Sequence, residues 1–187
     1  PLDRPKNIVS YSYNFAKHIK WPDEEKLANF NVTLFDIKNR KLISEFIKLH
    51  ETVRIKNVAI NITQTSNISS LGNYNMIYAD TADDKTIASI QAVIEGRPTL
   101  LITNAATNKR LVMINLYDDA NKKLKFEINK ANLLNSKLMP QPELILLGGT
   151  EIDVAKPFRE GQSSLIKLQK KLAIQQQKLD SQQAELK

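Results

Sequence analysis

Four polar residues lie where an open α/β sheet would do chemistry. Asp36, Asp80, Thr103 and Asn104 each close or follow a segment that reads as a β-strand. Ligands of doubly wound sheets bind at the carboxyl ends of the strands, so a polar cleft for a small ligand is expected there. Other chemistry is sparse. The two histidines, His18 and His50, each stand in a helical stretch without a second ligand or base at fixed spacing, and a metal site or a general base needs such a partner. The absence of cysteine excludes a thiolate zinc site, a disulfide framework and a cysteine nucleophile. The chain has no nucleophile elbow, phosphate loop or dinucleotide fingerprint. The residues therefore predict no metal, no cofactor and no enzymatic activity. A hydrolase or transferase would have to rest on Asp36 and Asp80.

The elements that must position these residues follow from periodicity. In residues 7–20, Ile8, Tyr11, Phe15 and Ile19 recur at helical steps, and Pro22, which lacks a backbone donor, predicts a stop near Trp21. Residues 30–37 read as a strand, Asn39 as the cap of a helix carrying Leu42, Phe46 and Leu49, and residues 57–63 as a second strand. After a polar loop, residues 74–80 read as a third strand, and Asp83 or Asp84 caps a helix with Ile87, Ile90 and Ile94 that ends at Gly96. Residues 99–103 form an apolar strand of the kind buried on both faces. Residues 110–117 and 123–128 flank a polar turn as a hairpin. Asn129 caps a helix through Leu138, and Pro142 opens a short one ending at Gly148-Gly149. This order predicts an α/β three-layer sandwich with a mostly parallel sheet and an antiparallel edge hairpin.

Within that frame a phosphoacceptor receiver can be tested. It needs a second acid beside the first strand-end aspartate and a lysine after the fifth strand. Asp36 has no acidic neighbour, and the strand around Met113 has no lysine. As turn and cap residues, Asp36 and Asp80 have a simpler use. Trp21, the one tryptophan, reads as a core plug at the helix end.

The last segment is of another kind. Leu165, Leu172, Leu179 and Leu186 are spaced by sevens, and Leu168, Gln175 and Gln182 occupy the second seam position. That heptad pattern predicts a helix that dimerises as a coiled coil of low stability. The expected organisation is an α/β domain over 1–150, a linker over 151–162 and a signalling helix over 163–187. The heptads run to the last residue and the chain starts at Pro1, so a processed piece of a longer protein is expected. No apolar run is long enough to span a bilayer; membrane attachment would come from segments outside the sequence. The net charge of +7 is spread without an aromatic-interleaved basic cluster, which predicts a solvated surface and no nucleic-acid partner.

Three segments carry a resemblance. YNFAKHIKWP (13–22), MINL (113–116) and FEIN with Lys130-Ala131 (126–131) resemble, in order and spacing, the YfiR-like family of bacterial periplasmic domains over about residues 8–150. The motif positions are Tyr13, Phe15, Trp21, Pro22, Asn115, Glu127 and Asn129. Residues 144–160 look like the exit from this domain in members fused to sensor histidine kinases and related signalling proteins. The resemblance implies an exported α/β domain that regulates a membrane-linked output, and at least part of the motif is expected to be structural. The lack of cysteine departs from the best-known stand-alone member, so its redox control does not carry over. The long heptad helix favours the fused form.

The resulting expectation is an extracytoplasmic sensory input domain of a membrane-anchored signal-transduction protein. It would take a small molecule or a periplasmic partner protein and pass the change through a homodimeric coiled coil. The alternative is a stand-alone periplasmic repressor that binds a membrane diguanylate cyclase.

Overall fold

The structure, a computed structural model, describes residues 3–153 and 156–185, with side chains for all of these but 156–163. Two compact units appear, Pro1–Ile152 and Asp153–Lys187.

The first unit opens with α1 (Arg4–Lys17), capped by the Asp3 carboxylate, which accepts from Lys6 N. The helix ends at Lys17, four residues before Trp21, where the stop is expected. His18 leaves it so that β1 (Ile19–Lys20) can pair antiparallel with a segment 120 residues away, Ile19 opposite Pro140. No local pattern announces that pairing. β2 (Asn29–Phe35) follows, then α2 (Arg40–Thr52), whose cap is Asn39 through Leu42 N at 3.1 Å.

β3 (Arg54–Ile55) and β4 (Val58–Thr65) are joined by Lys56-Asn57, both at positive φ. Two left-handed residues in a two-residue loop suit the twist of a hairpin. The Lys56 ammonium holds the strained turn down: it donates to Ile19 O at 2.7 Å, pairs with Glu24 at 3.2 Å and lies 5.7 Å from the Trp21 ring centroid.

β5 (Met76–Ala79), α3 (Asp84–Ile94) and β6 (Leu100–Asn104) continue the wound pattern. β7 (Ile114–Asp118) and β8 (Leu124–Ile128) make the expected hairpin, but β7 starts four residues late because Asn108 closes a turn by accepting from Arg110 N and Leu111 N. α4 (Lys130–Asn135) is capped by Asn129. It stops three residues short of Leu138. Lys137 at φ 62 lets Leu138 N reach Leu133 O at 2.9 Å, a Schellman ending built without glycine. β9 (Met139–Pro140), α5 (Pro142–Leu146) and β10 (Thr150–Glu151) complete the unit.

The main sheet runs β10-β8-β7-β6-β5-β2-β4-β3, parallel except at β7/β8 and β3/β4. The α/β class and the mostly parallel sheet are as expected. The hairpin lies one strand in from the edge, because β10 adds to β8 in parallel. β2 connects through α2 to β4 on one side, and β5 through α3 to β6 on the other. Right-handed crossovers therefore place α2 and α3 on opposite faces of the sheet. α1 packs beside α2 and reaches β8, where Phe15 and Tyr11 meet Phe126 at centroid distances of 4.7 and 5.3 Å. Trp21 is buried, edge-on to Phe30 at 5.1 Å, and its indole N–H donates to Pro98 O at 3.0 Å. Pro22 is exposed beside it.

The unit extends past residue 150: Ile152 N donates to Ile128 O at 2.8 Å. In the second unit α6 (Lys156–Glu185) is helical from within the range expected as linker.

A Cβ at Gly149 would lie 2.2 Å from the Phe126 ring, so Gly149→Ala should cost about 1–3 kcal/mol by overpacking, measured by urea unfolding. Asp83 accepts from Thr86 Oγ1 at 2.6 Å and Thr86 N at 3.0 Å, bonds that hold its carboxyl below the usual value of 3.8. Stability from such a group is full above the unfolded value and is lost as pH falls through the lower folded one. The advantage of the native chain over Asp83→Ala should therefore shrink below about pH 4, measured by unfolding at pH 6 and pH 2.5.

Candidate functional site

Neighbouring connections run to opposite sides of the sheet between β2 and β5, and this opens a crevice beyond their carboxyl ends. A cleft of about 340 Å³ fills that place. Its walls come from the first two turns of α1 (Arg4, Pro5, Ile8), the start of α2 (Asn39, Leu42), and the ends of β5 and β6 (Asp80, Ala82, Asn104, Ala105).

The polar groups of the cleft are linked. The Arg4 guanidinium donates to Asn104 Oδ1 at 3.2 Å and pairs with Asp118, the last residue of β7. Asn104 Nδ2 donates to the Tyr78 hydroxyl at 3.3 Å, and that hydroxyl donates to Asp80 Oδ1 at 3.2 Å. Burial first, and then the charge of Asp80, pushes the Tyr78 phenol above its ordinary range, so it remains a donor throughout the physiological span. Ala105 sits at φ 59, a left-handed conformation that costs an alanine roughly 1 kcal/mol. It turns the chain at the cleft floor.

Of the four expected ligand residues, the structure brings Asp80 and Asn104 together. Asp36, also left-handed at φ 51, lines a separate depression with Gln64, Thr65 and Ser66. Thr103 is fully buried and faces away from the cleft into a hydrogen bond with Asn115; adjacent residues of a strand point to opposite faces. Arg4 was not foreseen. Its placement depends on where α1 lands, and its only local signal is a cation in a helix's first turn. The arrangement can orient a small polar ligand between a guanidinium, a carboxylate and an amide. The two strand-end carboxylates line different depressions, Asp80 the cleft and Asp36 the one beside Gln64. Among the described residues no cluster of three His, Asp or Glu side chains could hold a metal ion.

The motif residues assemble elsewhere. Asn115 is fully buried and uses all of its amide's bonding capacity. Oδ1 accepts from Thr103 Oγ1 at 2.8 Å and Ala106 N at 3.1 Å; Nδ2 donates to Glu127 Oε1 at 2.9 Å and Ala106 O at 3.2 Å. Lys109 closes the group by pairing with Glu127 and donating to Ala106 O. Asn129 caps α4 with its oxygen and holds Lys109 O with its Nδ2 at 2.9 Å. These residues anchor the helix-free crossover from β6 to β7, immediately after Asn104. Tyr13 packs half-buried against the core.

A model of the YfiR/HmsC-like family matches residues 7–148, from α1 through α5. The chain belongs to the YfiR/HmsC-like family. YfiR-like domains are periplasmic and regulatory. No curated protein matches the chain. Among the described residues no helix is long and apolar enough to cross a membrane. Within this YfiR-like domain the motif does structural work: Trp21 and Phe15 fill the core, and Asn115, Glu127 and Asn129 hold the crossover that shapes one wall of the cleft. The family match does not reach α6.

Asn115→Ala would strand the Ala106 N–H in the interior and leave the Thr103 hydroxyl only its longer bond to Ile114 O. A buried orphan costs about 1–3 kcal/mol, so the variant should lose at least about 1 kcal/mol, measured by denaturant unfolding.

Proposed function

We propose that this chain is the extracytoplasmic sensory input region of a membrane-anchored bacterial signalling protein, a sensor histidine kinase. It performs no catalysis. The switch-point cleft around Arg4, Asp80 and Asn104 takes a small polar molecule or a periplasmic partner's side chain. The resulting change passes to the output through a parallel dimer of α6.

The observation that carries this reading is the leucine ridge of α6. Leu165, Leu168, Leu172 and Leu179 are each more than half exposed, while Leu186 lies outside the described residues. A stripe of leucines left in water is unfavourable by roughly 1.5–3 kcal/mol per side chain relative to burial. A second α6 covers such a stripe by knobs-into-holes packing. Gln175 and Gln182 interrupt the seam, which keeps the association weak enough to be shifted by a ligand. Such a shift requires the ligand to bind the two states unequally.

A second reading, a stand-alone repressor of a membrane diguanylate cyclase, is favoured by one surface feature. On and beside α5, Leu146 is 83% exposed and Ile145 37%, an apolar patch suited to a partner protein.

The two readings separate in one set of measurements. Sedimentation of the full chain should show a concentration-dependent dimer, and Leu172→Lys should weaken it at least tenfold, the effect of about 1.4 kcal/mol. A chain that sediments as a monomer throughout, and whose capture of a membrane cyclase is lost in Leu146→Asp, would replace the first reading with the second.

A further inference from the structure

β4 (Val58–Thr65) is the last long strand on its side of the sheet, and its outer edge is largely open. β3 pairs with it only at Val58 and Ala59. Beyond that point the backbone alternates. Thr65 O faces inward and accepts from Asp36 N at 2.9 Å, whereas Ile60 O faces outward and accepts from His50 Nδ1 at 2.9 Å. A carbonyl only accepts, so that ring nitrogen carries the proton. In a parallel ladder successive residues turn their N–H and C=O to opposite neighbours. Ile60, Ile62 and Gln64 therefore turn theirs outward. Among the described residues, none bonds the main-chain N–H or C=O of Ile62 or Gln64 on that side.

Open edges are normally guarded by charge, proline or a bulge. The opposite side of this sheet follows that rule: β8 carries Lys125 and Glu127, β10 supplies Glu151, and the Tyr11 hydroxyl occupies Leu124 O. The β4 edge does not. Residues 57–79 contain no charged side chain. The exposed strand positions are Ala59, Asn61, Thr63 and Gln64.

We propose that this edge is an interaction surface for a second copy of the same chain, with β4 pairing antiparallel to β4 about a two-fold axis at Thr63. Symmetry favours this occupant. In an isologous contact each residue near the axis meets its own mate, so any charge there would face its like; β4 has none to repel. The register follows from the groups left free. With Thr63 opposite Thr63, Ile62 pairs with Gln64 of the other copy and Gln64 with its Ile62. The N–H and C=O groups of Ile62 and Gln64 in both strands, four of each, then find partners: four hydrogen bonds, with Ile60 O left to His50. Asn61 falls opposite Thr65, and the threonines at the axis form a cross-strand pair of the favourable kind. A strand contact of this size is below the area of a stable interface, so the pairing is weak and concentration-dependent. It is independent of α6.

The chain's lack of cysteine makes the test direct. Thr63 forms a non-hydrogen-bonded pair in this register, which sets the two Cα atoms about 4.5 Å apart, within disulfide range. In the full chain, Thr63→Cys should cross-link on mild oxidation. Asn61→Cys should not, its copies being about 14 Å apart. The same result is expected in a Leu172→Lys background, which separates this contact from one made by α6. Gln64→Pro deletes only an outward N–H, a change that edge strands tolerate, and should abolish the cross-link. Thr63→Lys and Thr63→Glu should each lose the slow exchange of the Ile62 and Gln64 amides seen at high concentration, and mixing the two should restore it. Cross-linking no better at 63 than at 61, fast exchange of both amides at every concentration, or protection that appears only with a different protein would overturn the proposal.

Discussion

A carboxamide sealed from water must find a partner for each of its donors and acceptors, and much of this domain is arranged so that Asn115 can. Its four bonds tie β6 through Thr103, β8 through Glu127, and both main-chain groups of Ala106. Parallel neighbours are usually joined by a helix that covers the sheet. β6 and β7 are parallel, yet residues 105–113 between them contain no helix. Without a regular ladder of its own, that crossover needs its backbone groups satisfied individually. The Asn115–Glu127–Lys109 group and the two amides of Asn129 and Asn132 do this, taking the carbonyls of Ala106, Lys109, Arg110 and Val112. Once the crossover is pinned, Ala105 is forced into its left-handed turn, and Asn104 is presented to the cleft at a fixed height. The cleft's geometry is thus a consequence of core polar chemistry one residue away from it.

The division between what the sequence disclosed and what it did not follows the range of the forces. Helix caps are local, and Asn39, Asp83 and Asn129 all cap where their side-chain chemistry predicts. Apolar alternation is local too, so the wound strands were legible. β1, β9 and β10 have two residues each and exist only because a distant segment arrives beside them; their own patterns carry no strand signal. The left-handed endings at Lys56-Asn57 and Lys137 were hidden for a different reason. Positive φ is ordinarily announced by glycine, and here lysine and asparagine bear the strain because the side-chain bonds of Lys56 and the main-chain bond from Leu138 N to Leu133 O compensate.

The lining of the candidate cleft was legible in part for the same reason. The strand-end rule names the end of the sheet where a ligand binds, and it led to Asp80 and Asn104. It does not say which strand ends share a crevice, so Asp36 falls to a neighbouring depression. Nor does it give the orientation of a strand's last residues, so Thr103 turns into the core. Arg4 completes the cleft from 100 residues away in sequence. Only the packing of α1 on α2 and β8 brings it there.

That helix has a further consequence for a regulatory domain. α1 touches the cleft at one end, where Arg4 reaches Asn104 and Asp118. At its other end, His18 O accepts from Gln141 N at 2.9 Å and Ile19 pairs with Pro140, which leads directly into α5, Gly149 and β10. The helix is about 21 Å long, and its middle is clamped by the Tyr11–Phe15–Phe126 cluster. A rigid rod fixed at its centre moves its two ends together. Contiguity of this kind is not coupling in itself, because energetic coupling needs an element with two arrangements that both ends bias. The Arg4 contacts meet one half of that condition. They are partly exposed ion-pair and amide bonds, individually worth little in water, so a ligand that competes for the guanidinium has only a small free energy to overcome. The packed aromatic cluster resists gradual deformation, because dense cores switch between packings more readily than they stretch. A weak latch at the cleft and a stiff pivot behind it are the combination in which ligand binding at Arg4 would be felt at residues 139–151.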